Sequence, residues 1–261
     1  MMNQKLKEII QKSGNNLHMR VVEFFENQGW EVDLSSYYYD DTTVKPREID
    51  IIASKQFDVG DHGGNRVGSF AVHLFIECKY FKNDIAFRMH QAKEDDMREA
   101  MIFNGFNRAE VLNVPNAQHH YLDELRIAKL YDAVQDEQNQ IFDAITKPAK
   151  ALIFFKEHKP IQGIFYPIVV YEGISGFYLL NRESEIKELD NLKPSQYAIF
   201  GLNYSYKSLG NELKKQYLCV EFVSIKKLED YLKLIYIKEI ETLQGYIRLQ
   251  GLKKKIRSLS P

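Results

Sequence analysis

The chain reads as one α/β domain with a mixed central sheet, and three observations predict this. Short apolar, β-branched and aromatic runs recur along its 261 residues. Helical hydrophobic periods alternate with them. No repeat, low-complexity tract or proline-rich linker marks a domain border, and the length suits one large domain or two small ones.

In order, residues 3–28 predict a helix ending near Gly29, followed by strands near 30–39, 47–54 and 69–80. A helix is expected over 87–103. Residues 118–146 carry an interrupted stripe of Leu122, Leu125, Leu130, Val134 and Ile141, which predicts a helical insertion spanning about 115–147. Strands are expected near 151–155, 167–171, 176–180, 197–203 and 217–224, then a helix from about 226 to 249. The domain is read as 1–250, with 251–261 as a basic tail. Its Lys253-Lys254-Lys255-Ile256-Arg257 forms a solvated end or an arm that tracks phosphates.

The run Ala71 to Phe81 is nearly all apolar yet contains Glu77 and Lys79. Strand side chains alternate faces, so these two share a face roughly 6.6 Å apart. Burying such ions costs several kcal/mol each, by order of magnitude, unless something compensates. The same Glu-x-Lys spacing recurs at Glu157/Lys159, Glu185/Lys187 and Glu212/Lys214, but in polar stretches. Upstream, Arg47 to Ala53 forms a second strand, with Glu48 and Asp50 on one face by the same period. The glycine-rich segment 59–68 between the two strands predicts a β-hairpin. Pairing would bring Asp50 near Glu77, within reach of one hard divalent cation. The alternative is a cross-strand ion pair between Lys79 and Asp50, which leaves one acid unneutralised.

Asp50 followed by Glu77-Cys78-Lys79, after an N-terminal helix, resembles the PD-(D/E)xK phosphodiesterase superfamily. One nuclease-like branch is matched in order by Ser13-Gly14, Leu17 to Phe25, Gly29-Trp30-Glu31-Val32, Tyr38-Tyr39-Asp40 and Arg47 to Ile51. Pro167 to Gly173 and Tyr217 to Leu232 resemble its later segments. The resemblance implies a restriction endonuclease-like fold and a Mg²⁺-dependent nuclease (Mn²⁺ being an alternative) that hydrolyses DNA. It also implies that Asp50, Glu77 and the Cys78 carbonyl hold the metal, while Lys79 orients the attacking water. Glu48 is a further ligand, an outer acceptor or a plain strand glutamate. Where the branch usually carries a glutamate on its first helix, this chain has His18, as ligand or base. Glu23, about 500° further round that helix, faces elsewhere. The alternative is a catalytically impaired nucleic-acid-binding protein of the same fold. A third reading is an interaction protein with a structural ion cluster.

Composition bounds the rest. No apolar run approaches the ~20 residues of a membrane span, and the polar start is no secretory signal. Cys78 and Cys219 read as buried thiols of a reducing compartment, which points to the cytoplasm. His62 and His119-His120 have no partners at ligand spacing and read as surface histidines. Net charge is −1, so DNA binding would rest on clustered bases, with Lys79, Lys82 and Arg88 as candidates. Tyr37-Tyr38-Tyr39 stack on bases or pack on strand faces. Nucleases of this type often pair to cut both strands, which makes a homodimer compatible.

Overall fold

A computed structural model describes residues 14–41, 43–60, 64–108, 111, 119–123, 125–159, 162–181, 192–210, 212–235, 239–241, 243–245 and 247. Helix α1 (Gly14–Asn27) precedes the strands β1 (Glu31–Asp40), β2 (Lys45–Gly60), β3 (Arg66–Tyr80) and β4 (Ile85–Gln91). Next come α2 (Glu94–Phe103), the single turn α3 (His120–Asp123), β5 (Arg126–Asp132) and the long α4 (Gln135–His158). Strands β6 (Ile164–Glu172), β7 (Phe177–Asn181), β8 (Tyr197–Lys207) and β9 (Leu213–Ser224) follow. A 3₁₀ turn, Ile225–Lys227, leads into α5 (Leu228–Ile235).

The nine strands form one mixed sheet in the order β1-β2-β3-β6-β9-β8-β5-β4-β7. The hairpin β1–β2–β3 is antiparallel and hands over to β6 and β9 by parallel pairing. Parallel strands are normally covered on both faces, and so they are here. On one face α1, α2 and α5 pack through Leu17, Val21, Phe25, Met97, Met101 and Tyr231 onto Ile51, Ile76, Ile168 and Cys219. On the other lies α4, with Ile141, Ile145 and Ala149 against β8 and β9 and with Leu152 against Ile52, Phe75 and Phe165.

Several expectations need correction. Residues 126–132 are strand β5, whose hydrophobic side chains alternate only weakly, so the segment 118–146 is not one helix. The expected helix over 87–103 begins only at Glu94, because 85–91 pair as β4 between β5 and β7. The expected strand at 151–155 is the second half of α4. Pro148 removes one helical hydrogen bond, yet α4 runs through it. Glu137 anchors the helix start: it is buried, and its Oε1 accepts the Lys82 and Asn83 backbone N–H groups, each at 2.7 Å. The tail, His62 and residues 3–13 of the first helix lie outside the described residues. Among the described residues, no helix is long and apolar enough to cross a membrane.

Candidate functional site

Strands β2 and β3 pair continuously only up to Ile51 opposite Ile76, so their ladder ends one residue short of Asp50 and Glu77. On the other edge of β2, pairing with β1 skips Ser35 and Asp50, and Ser35 takes the left-handed φ of 56°. A non-glycine residue held there costs about 1–3 kcal/mol. The irregularity reverses the phase of the strand. Ile51 packs in the α1 layer, whereas Ile49, two residues before it, packs in the α4 layer.

Asp50 sits at this reversal. Its Oδ2 accepts the Cys78 backbone N–H at 2.7 Å, taking the place of a ladder bond. The same oxygen lies 3.1 Å from His18 Nε2 on α1. Burial alone would raise the Asp50 pKa, but the His18 and Cys78 hydrogen bonds outweigh it and hold the carboxyl below its ordinary value. The bond to Asp50 in turn raises His18 above the usual histidine range.

Glu77 lies wholly inside, on the α4 side of the sheet. Its Oε1 accepts from Lys79 Nζ at 2.7 Å and from Lys147 Nζ at 2.8 Å. Glu77 and Lys79 thus share a face, as the strand period requires. Burial first, and the Asp50 charge second, raise the Glu77 pKa against the pull of the two lysines. Burial also works against charge on Lys147, yet Glu77 beside it raises the lysine pKa. Glu77 Oε2 is buried and has no hydrogen-bond partner. The Cys78 side chain belongs to the α1 layer. Burial, reinforced by Asp50 and Glu77, pushes its thiol well up, so it stays a neutral thiol.

The structure therefore brings together His18, Asp50, Glu77, Cys78 and Lys79. Glu48 stands half-buried on β2 opposite the exposed Tyr37, and among the described residues no side-chain contact ties it to the cluster. Arg88 is also displaced from the expected place. It lies on β4, five strands beyond β3 in sheet order, paired with Asp132 at 2.7 Å. Tyr38 packs near Phe154, while Tyr37 and Tyr39 are exposed. The expected surplus of negative charge is not found, because Lys147 and His18 face the two acids.

Lys147 is the residue that sequence reasoning missed. With Lys150, three residues on, it interrupts the buried stripe Ala144, Ile145, Ala149, Ala151 and Leu152. Lys150 Nζ reaches the buried Asp40 at 2.8 Å, so both lysines of this face cross to carboxylates of the first three strands. Beside the cluster lies a polar cleft of about 560 Å³, lined by Asn16, Arg20, Tyr80, Glu172, Ser224 and Lys226. Arg20 forks onto both Glu172 oxygens at 2.8 Å.

Chemically, two carboxylates of opposite pKa tendency lie among two ammonium groups and an imidazole, at the end of a sheet ladder where strands part. Comparison with protein-family models, curated proteins and solved structures returned no match for this chain.

Proposed function

We propose that the chain is a metal-dependent nuclease of the restriction endonuclease-like fold that hydrolyses DNA phosphodiester bonds. One observation supports this above the others: Glu77 Oε2 is fully buried without a donor, beside Asp50, while its other oxygen holds two ammonium groups. A buried acceptor left unmade costs about 1–3 kcal/mol, and a hard cation that takes carboxylate oxygens removes that cost.

The donors present fit Mg²⁺ or Mn²⁺. Asp50, Glu77 and the Cys78 carbonyl would hold the ion, and the neutral Cys78 thiol is no ligand for a hard cation. When bound, such an ion polarises a phosphoryl oxygen and lowers the pKa of its water. The remaining work belongs to the chain. Lys79, fixed by Glu77, presents an ammonium that orients a water and offsets charge gathering on the phosphorus oxygens. Lys147 holds Glu77 from the opposite layer, so the carboxylate does not swing when Lys79 turns to substrate. His18 fixes the Asp50 oxygen. Lys226 lines the adjoining cleft and offers positive charge for a phosphate backbone, while Arg20 there is held by Glu172.

A second reading, a DNA-binding protein with impaired catalysis, is favoured by the His18–Asp50 pair. It ties up the Asp50 oxygen with a cation that the chain itself provides. Incubation of purified protein with supercoiled plasmid, linear duplex and single strands, with and without Mg²⁺ or Mn²⁺, separates the two. The first reading expects cleavage only with metal. The second expects retarded migration of DNA and no cleavage with either ion.

A further inference from the structure

Three strands across the sheet from β2, with Glu221 level with Ile51, a second polar cluster is sealed in the α1-side core. The histidine pair expected on the surface is inside: His119 is 1 % exposed and His120 5 %. Glu221 of β9 is fully buried, and so is Glu239, beyond α5. Around them stand the hydroxyls of Tyr121, Tyr166 and Tyr197.

The atoms are arranged in two shells. His119 Nδ1 lies 3.4 Å from Glu239 Oε1, and His120 Nδ1 contacts the same oxygen. These three atoms lie within 4.8 Å of one another. Of the outer atoms, His119 Nε2 is buried without a hydrogen-bond partner, and those of His120 and Glu239 are committed elsewhere. His120 Nε2 meets Glu221 Oε2 at 2.9 Å, and that carboxylate is steadied by Tyr121 Oη at 2.9 Å and Tyr197 Oη at 3.0 Å. Glu239 Oε2 accepts from Tyr166 Oη. A metal-bound histidine characteristically donates its far N–H to a carboxylate that is itself hydrogen-bonded, and His120 with Glu221 has this form.

We propose that His119, His120 and Glu239 form a structural site for a divalent transition ion of the Zn²⁺ class. Two imidazole nitrogens and one carboxylate oxygen suit that ion, and a water completes four-coordination. Charge favours it too. Glu221 and Glu239 bring two carboxylates to the cluster, a set whose combined charge a divalent ion matches. Without a cation, two carboxylates packed this deep in the core are a costly arrangement. His119 Nδ1 faces Glu239 Oε1 and accepts from a neutral backbone N–H, so it carries the lone pair that a metal takes. The Tyr121 N–H approaches that nitrogen at 3.1 Å, and coordination replaces this neutral bond. The ion would tie α3 and the chain at Glu239, 119 residues apart in sequence, to each other and, through Glu221, to β9.

The competing occupant is the proton. Burial opposes charge on His120, but Glu221 and Glu239 outweigh it and bring its pKa up to about 10. The test uses full-length protein stripped with chelator and titrated with Co²⁺ and then Zn²⁺. Expected are the intense visible bands of four-coordinate Co²⁺ at about one equivalent per chain, bleached by Zn²⁺. The bands should persist in Asp50→Ala, which separates this site from the β2–β3 cluster, and vanish in Glu239→Gln. No bands in the wild-type protein, bands that survive Glu239→Gln, or bands lost in Asp50→Ala would overturn the assignment. Should Glu239→Gln fail to fold, ¹⁵N shifts of His120 in the stripped wild type decide, before and after one equivalent of Zn²⁺. Metal-shifted Nδ1 supports the site, and an unchanged doubly protonated ring sinks it.

Discussion

The His18–Asp50 pair is the feature of single residues that most needs measurement. Its stabilising effect exists only while Asp50 is ionised and His18 protonated. Asp50 has its folded pKa depressed, so its share is complete above the ordinary value of 3.8 and is lost as pH falls through the lower folded value. His18 has its folded pKa raised, so its share is complete below 6.5 and is lost as pH rises through the higher folded value. In chelator, the stability difference between wild type and His18→Ala should therefore be greatest between those two values, at about 1 kcal/mol for a partly buried charged bond. Chemical denaturation across pH checks this. A flat difference would mean the pair contributes nothing. The sequence exposed Asp50, Glu77 and Lys79 because charges inside an apolar strand stand out. It hid the irregularity at Asp50, because one left-handed residue on the neighbouring strand, Ser35, accompanies a reversal of phase between Ile49 and Ile51 that strict alternation does not foresee.

Among elements, α4 and the end of β6 position the site. Lys147→Met should remove one of the two cations on Glu77 and leave the other. The Glu77 pKa should rise further, and metal-dependent cleavage should fall by roughly tenfold or more, the equivalent of about 1.4 kcal/mol or more. Carboxyl ¹³C titration and rate measurement together test this, and an unchanged Glu77 titration would refute the role given to Lys147. Gly173, just past β6, has φ 104°, and a Cβ there would lie 2.0 Å from the Phe81 carbonyl oxygen. Phe81 N–H bonds Glu172 at 2.9 Å, so the chain after Lys79 has no room to retreat. Gly173→Ala should lower stability by about 2 kcal/mol or more, seen as a fall in Tm. The β2–β3 hairpin was legible from its strand–turn–strand pattern. The true extent of α4 was not, because Pro148 and the run Leu152-Ile153-Phe154-Phe155 mimic a break followed by a strand.

For the molecule as a whole, stability is distributed over two core layers, and one half-buried lysine weakens their meeting point. Lys156 lies over the Phe103 ring at 4.2 Å, and burial brings its pKa down to about 8. Below that value it is charged both folded and unfolded, and the cost of burying the charge is fully present. Stability should rise as pH climbs from about 8 towards the unfolded 10.5. Lys156→Met should raise stability at neutral pH by about 1 kcal/mol, because loss of the Lys156 bond to the Phe103 carbonyl offsets part of the relief, and it should flatten that alkaline rise. Thermal unfolding of both proteins across pH tests it, and a less stable variant would contradict it. The mixed sheet and its two helical layers follow from the alternation of strand and helix periods. Sheet order does not, since β4, β5 and β7 pair at the far edge through short strands whose weak local patterns carry no register.

The claim that Asp50, Glu77 and Lys79 form one hydrolytic centre is tested most directly by single-turnover cleavage of duplex DNA in Mg²⁺ or Mn²⁺. Wild type is compared with Asp50→Asn, Glu77→Gln and Lys79→Met, each first shown by circular dichroism to be folded. The account predicts metal-dependent cleavage by wild type and a loss of about a hundredfold or more in every variant. Cleavage retained at wild-type rates in any one of the three would contradict it.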